Sequence, residues 1–200
     1  MIFGAGRVGR ALLRILEGKK HKIVIIDESR AVCDDVAGIT NSEVICHDVS
    51  DPEMLGELKL DSADFVFAVT GSEETNFLVS VYAKHMNAKR VISRASEARY
   101  SSLMEKLGVI PLIPETTLAR ELANAVLNPL ISLMLDPSYS KVEMFQKEVT
   151  GPLKDKTVRE VNDKNRFAVV SVIKDGRFLP PDPDFALKEG MTIVVVKHNA

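Results

Sequence analysis

Tryptophan is absent from the 200 residues, aromatic residues make up only 6%, and there are two cysteines. Cys33 and Cys46 cannot build the disulfide framework of a small secreted domain, and their spacing matches no metal motif, so both are expected as reduced thiols in a cytosolic protein. An excess of either charge is missing too. The 26 Lys and Arg stand against 28 Asp and Glu, a net charge of −2, and no basic cluster stands out locally. Such a chain has no field that gathers DNA or an anionic membrane, which excludes nucleic acid as the expected partner. No apolar run approaches the roughly 20 residues that cross a bilayer, and "GAGRVGR" interrupts the opening stretch before a signal peptide could form. The expectation is a cytoplasmic protein that inserts nothing into a membrane and serves one, if at all, from outside.

What is present is an ordinary globular composition, 46% hydrophobic and 27% charged. Short apolar runs at 22–27, 42–48, 64–70, 90–94 and 108–114 read as buried strands, with "MIF" as the stump of a first one. Helical patterns lie between them at 7–18, 29–38, 51–58, 73–87 and 97–107. In the fourth, Phe77, Val81 and Met86 are taken as the apolar stripe and Ser72 as the N-cap. Strict alternation predicts an α/β fold, a Rossmann-like doubly wound parallel sheet of about six strands with helices on both faces. A long apolar helix follows at 116–135. Pro129 lacks an amide hydrogen and disfavours helical geometry at Asn128, so two helices are expected to meet there. Core packing and a subunit interface are equally open readings of its apolar face. From 139 onward, alternating strands, a short helix and a hairpin turning on Asp175–Gly176 predict a small α+β module. The expected division is thus 1–117, 118–138 and 139–200.

Gly4, Gly6 and Gly9 form G-x-G-x-x-G between the strand stump and the first helix, and Asp27 ends the next strand eighteen residues beyond Gly9. Gly4 permits the tight turn, Gly6 lets main-chain amides approach a phosphate, and Gly9 lets the helix pack on the strand. The helix N-terminus, with Arg7 and Val8 in its first turn, faces the anion. Asp27, followed by Glu28, is placed to accept from ribose hydroxyls and to repel a 2′-phosphate, favouring NAD or an adenosine nucleotide over NADP. Loops at the other strand ends converge on the same crevice, which adds Asp48 and Val49, Thr70 and Gly71, and Arg94. Arg7 is a candidate phosphate clamp. Glu115, after the sixth strand, is a candidate ligand for a divalent cation held with the nucleotide, or a plain helix N-terminal acid.

These stretches resemble the TrkA/KtrA-type regulators of potassium transport, which carry the RCK or KTN domain. "GAGRVGRALLRIL", "IVIIDES", "HDVSDPEMLGEL", the long run "DSADFVFAVTGSEETNFLVSVYAKHMNAKRVISRASEARY" and "LGVIPLIPE" match its TrkA-N domain in order, and the last 60 residues resemble TrkA-C. The resemblance implies a cytoplasmic gating subunit that binds NAD(H) or ATP/ADP as a signal. It also implies a homodimer that assembles into a ring beneath a membrane potassium channel or transporter. By the same resemblance Asp48 lies on the adenosine side and Arg7 contacts phosphate. Family members usually open with a full first strand, so "MIF" is read as the start of a fragment or of half of a tandem protein, and "CHD" stands where a glycine before the aspartate is commoner. The rival reading, an NAD-dependent oxidoreductase, needs a proton donor over the nicotinamide. Of the four histidines only His47 neighbours the crevice, on its adenosine side, and the expectation is that the chain is no enzyme.

Overall fold

The computed structural model describes residues 1–18, 21–135, 142–174 and 176–198. It divides into two compact units, Met1–Leu118 and Ala119–Ala200. In the first, β1 (Ile2–Phe3), α1 (Arg7–Glu17), β2 (Val24–Asp27), α2 (Arg30–Ala37), β3 (Glu43–Cys46) and α3 (Pro52–Glu57) are followed by β4 (Val66–Ala68), α4 (Glu73–His85), β5 (Val91–Arg94), α5 (Ala98–Lys106) and β6 (Ile110–Leu112). All six strands run parallel, in the order β3-β2-β1-β4-β5-β6. The alternation legible in the sequence is therefore the alternation of the fold. The 3-10 turn at Leu60–Ser62 was not expected.

Strand side chains alternate between the two faces of a sheet, and here both faces are covered. Phe3 and Ile26 join Leu55, Leu60, Val79 and Met104 on one side. Ile2 and Ile25 join Leu13 and Val36 on the other. This two-sided burial is why the strands appear as unbroken apolar runs. Although β1 has two residues, it lies mid-sheet between β2 and β4, and both its side chains are buried. The direction in which strands are added reverses between β1 and β4, so the crevice outside their C-terminal ends is the switch point of the sheet.

The stripe expected on α4 holds only in part, for Phe77 and Met86 pack against the core while staying partly exposed. The buried residues are Asn76, Val79, Ser80 and Ala83, spaced i, i+3, i+4 and i+7, whereas Val81 is 36% exposed. Small side chains on this face bring the helix close to β4 and β5, and the larger ones turn to its flanks. Ser72 does cap the helix, accepting from the Thr75 amide at 3.1 Å.

Helices α6 (Pro114–Leu127) and α7 (Pro129–Leu135) meet at Asn128, as the proline requires. Main-chain bonds reach Asn128 from both helices, Asn128 N–H to Asn124 O at 2.8 Å and Ser132 N–H to Asn128 O at 3.0 Å, on either side of the missing Pro129 donor. No residue of α6 is buried. Among the described residues, its apolar face enters none of the buried cores.

The second unit adds β7 (Val142–Glu148), α8 (Val158–Lys164), β8 (Phe167–Lys174), β9 (Arg177–Leu179) and β10 (Thr192–His198). Its antiparallel sheet has the order β7-β10-β8-β9 and packs Val149, Leu153, Val161, Val172, Leu187 and Ile193 into one core. Gly176 takes φ +74° at the β8–β9 hairpin; Asp175 lies outside the described residues.

Candidate functional site

Gly4 has φ +101°, and a Cβ there would lie 2.8 Å from the Thr70 amide nitrogen and α-carbon. A Cβ at Gly9 would lie 1.9 Å from the Gly4 carbonyl oxygen. These two glycines are therefore demanded by the fold itself, one by the close passage of β4 and one by the seating of α1 on the turn. Gly6 is different. A Cβ on it meets no atom within 4 Å, so no protein contact accounts for its being glycine. It is the N-cap of α1, which has no side-chain cap and no acid in its first turn. By contrast α2, α3, α4 and α8 are capped by Ser29, Asp51, Ser72 and Thr157. The first helical bond of α1 runs from Arg10 N–H to Gly6 O, leaving the preceding amides directed out of the helix over bare main chain. That is the geometry of an anion site.

Asp27 does more than its spacing revealed. One carboxylate oxygen accepts from Ala5 N–H at 2.7 Å and the other from Ser29 N–H at 3.0 Å, so it braces the glycine turn against the start of α2. Each oxygen keeps a lone pair for a ligand hydroxyl. Glu28 follows, exposed. Beyond β3, Asp48 folds its own loop: one oxygen accepts from the Ser50 hydroxyl at 2.7 Å and the Ser50 amide at 2.8 Å. These bonds, the hydroxyl first, hold its carboxyl below the usual range. His47 faces Asp51 at 3.7 Å. Val49 is 4% exposed and packs in the core, so its side chain is withdrawn from any ligand and only its main chain is left to meet one.

Sequence reasoning missed Asn76. It is 1% exposed, and its side-chain oxygen accepts from both the Thr70 amide and the Thr70 hydroxyl at 2.8 Å. Its amide nitrogen donates to Thr70 O and Arg94 O, each at 3.3 Å. The Ser80 and Ser93 hydroxyls donate to its carbonyl oxygen, so the three buried polar residues form one network joining the ends of β4 and β5. The signal was available: an asparagine on the buried face of a predicted helix needs partners. Glu73 adds a second brace, accepting from the Ser96 and Glu97 amides.

The predicted residues thus gather in part. The glycine turn, Asp27 and Thr70 touch one another, and Asn76 ties Thr70 to Arg94. Arg7, Val8 and Gly71 are exposed beside them. The side chains of Arg7, Arg94 and Glu115 make no hydrogen bond or ion pair with any described residue, which leaves their charges available to a ligand. Glu115 is exposed in the first turn of α6, and among the described residues no group of three or more His, Cys, Asp or Glu side chains comes together to hold a metal. A cavity of about 490 Å³ lined by Glu17, His21, Lys22 and Thr40 lies at the opposite end of β2 and β3 and takes no part in this crevice. No helix among the described residues is long and apolar enough to cross a membrane.

The Trk system potassium uptake protein TrkA homolog of Methanothermobacter thermautotrophicus is 27% identical over 203 residues, covering 100% of this chain and 94% of its own. The Trk system potassium uptake protein TrkA homolog 2 of Methanosarcina mazei is 26% identical over 200 residues, and this chain spans only 45% of it. Among solved structures, the GsuK channel bound to NAD superposes with a TM-score of 0.54 at 18% identity, covering 98% of this chain and 36% of that one. That likeness concerns the fold. The model of the TrkA-N domain matches residues 1–114, more than half of the sequence, and the chain belongs to the TrkA-N domain family.

Proposed function

We propose that this protein is a nucleotide-sensing regulatory subunit of a potassium uptake system or channel, and that it binds NAD(H) or ATP/ADP as an allosteric ligand. The observation that carries this reading is Gly6, an uncapped helix N-terminus with open space where a side chain would stand, set at the switch point of the sheet. The pyrophosphate would rest on the α1 amides with Arg7 as a clamp, the ribose on Asp27, and the adenosine side toward Asp48. Glu115 would join a divalent cation brought by the phosphates. Names of relatives that are Trk potassium uptake proteins support the membrane transporter as partner, and a cytoplasmic place beside it.

The ligand works here by shifting a conformational equilibrium, which it can do only through a difference in affinity between two states. One charge-assisted contact from Arg7 present in one ligand and absent in another is worth about 1.5–3 kcal/mol. At about 1.4 kcal/mol per tenfold this is roughly 10- to 150-fold, within the ordinary range of allosteric coupling. Subunits would pair through the 118–138 segment and assemble as a ring, with the interruption at Pro129 as the pivot.

Calorimetry with NAD, NADH, ADP and ATP, with and without magnesium, tests the reading. Binding of at least one is expected, together with its loss in Gly6→Val, whose Cβ meets no atom of the fold within 4 Å and whose methyls would fill the phosphate position. Undiminished affinity in that variant overturns the placement, and steady turnover of the nucleotide with a reducible substrate turns the reading toward an oxidoreductase.

A further inference from the structure

Thirteen positions separate Cys33 from Cys46, yet the fold brings them to one place. Cys33 lies in the second turn of α2, on the face that covers β2 and β3, and Cys46 is the last residue of β3. In the sheet Cys46 pairs with Asp27, and the Cys33 thiol donates to the carbonyl of that same Asp27 at 3.3 Å and approaches the Ile45 carbonyl, one residue before Cys46, at 4.0 Å. The Cys46 thiol in turn approaches the Glu28 carbonyl at 3.9 Å. Both thiols therefore sit at the C-terminal ends of two neighbouring strands, under the start of α2. Both are free.

Their surroundings differ in a way that assigns roles. Cys33 is 4% exposed, whereas Cys46 is only half-buried at the sheet's edge strand. Burial first, and then the hydrogen bond with the Cys46 thiol, push the Cys33 thiol up to about 12. Cys33 is thus kept protonated and out of reach of solutes, while Cys46 can be reached from solvent. Loss of the Cys33 proton would orphan nothing essential, because the Asp27 carbonyl also accepts from His47 N–H at 3.0 Å.

We propose that Cys33 and Cys46 are an oxidisable dithiol, a modification site that hydroperoxides convert into an intrachain disulfide. The Cys46 sulfur attacks the terminal oxygen of the hydroperoxide; the O–O bond breaks, the alcohol or water leaves with the thiol proton, and Cys46 becomes a sulfenic acid. Cys33 sulfur then attacks the Cys46 sulfur, the S–O bond breaks, and water leaves with the Cys33 proton. Two thiols and one hydroperoxide give one disulfide, one alcohol or water, and one further water, so electrons balance. The raised affinity of Cys33 for its proton makes the second step the slow one and leaves the reduced pair stable without an oxidant. This site goes beyond the nucleotide reading and does not depend on it, although the bridge would fasten α2 beside Asp27.

The test treats the full-length protein with hydrogen peroxide or tert-butyl hydroperoxide, alkylates it, and maps it by mass spectrometry without reduction. The expected result is a monomer lighter by two hydrogens, a linked peptide pair containing Cys33 and Cys46, and reversal by a phosphine reductant. Cys46→Ser should accept no oxidant at Cys33, and Cys33→Ala should accumulate a trappable sulfenic acid on Cys46. The wild-type peptide map requires neither variant to fold. Both cysteines alkylated after treatment of the folded protein, a disulfide only between two copies, or oxidation of Cys46 beyond the sulfenic acid with Cys33 still free would each overturn the proposal.

Discussion

Two glycines three positions apart make opposite predictions. Gly9→Ala places a methyl 1.9 Å from the Gly4 carbonyl, and forced crowding of this kind costs about 1–3 kcal/mol, so its thermal midpoint should fall markedly. Gly6→Val should melt close to the parent and fail in calorimetry. Asn76 offers a sharper case. Asn76→Ala removes the acceptor of the Thr70 amide and leaves the Thr70 and Arg94 carbonyls short of a donor, at about 1–3 kcal/mol for each buried group left unpaired. Asn76→Asp matches its shape only while protonated. Burial raises the pKa of such a carboxyl, so the variant should approach the parent at low pH and lose stability as pH rises through the raised value. Its NAD affinity should recover at pH 5 relative to pH 8 while that of the parent stays flat; equal loss at both would reduce Asn76 to packing. The glycines and Asp27 were legible in the sequence because backbone geometry restricts those positions to few residue types. Asn76 was not, because its partners Thr70 and Arg94 become neighbours only once β4 and β5 pair.

Elements with strong local signals came through at full strength. Ser72 and Thr157 cap the helices they precede, and Thr157 with Glu160 completes a capping box. The Thr157 amide holds the Glu160 carboxyl below its ordinary range. The sign follows directly: a carboxyl with a depressed folded pKa contributes its stability above the unfolded value, about 4.3 for Glu, and loses it as pH falls through the folded one. Glu160→Ala should therefore destabilise the protein at neutral pH, and the gap should narrow in acid denaturation followed by circular dichroism. Thr157→Ala should cost about 1 kcal/mol. Helix α4 shows where local reading stops. Phe77 and Met86 of its expected stripe pack at the margin of the core, but the face fully buried on the sheet is that of Asn76, Val79, Ser80 and Ala83, since the distance between layers is a property of the pair and not of the helix.

For the whole molecule, the fold class was readable because the central strands β1 and β2 are buried on both faces, while the edge strands β3 and β6 keep short apolar runs. What the sequence left open was the fate of the apolar surface on α6 and α7. Leu122 is 60% exposed, Val126 79% and Leu130 76%, more than single scattered residues of a monomer ordinarily leave to water. Sedimentation should find a dimer, and Leu122→Glu with Val126→Glu should shift it toward monomer at equal concentration without lowering the helical signal; a parent monomeric at high concentration would refute the pairing. One architectural detail reaches further. The pair β2–β3 and the triplet β4–β5–β6 are joined in the sheet through Ile2 and Phe3 of β1, with Met1 and Gly4 bonding on either side of them. That strand is a two-residue keystone, and the glycine turn is its direct continuation. An anion clasped there would tighten the seam between both wings at once, converting occupancy of a few ångströms of backbone into cooperativity of the entire sheet.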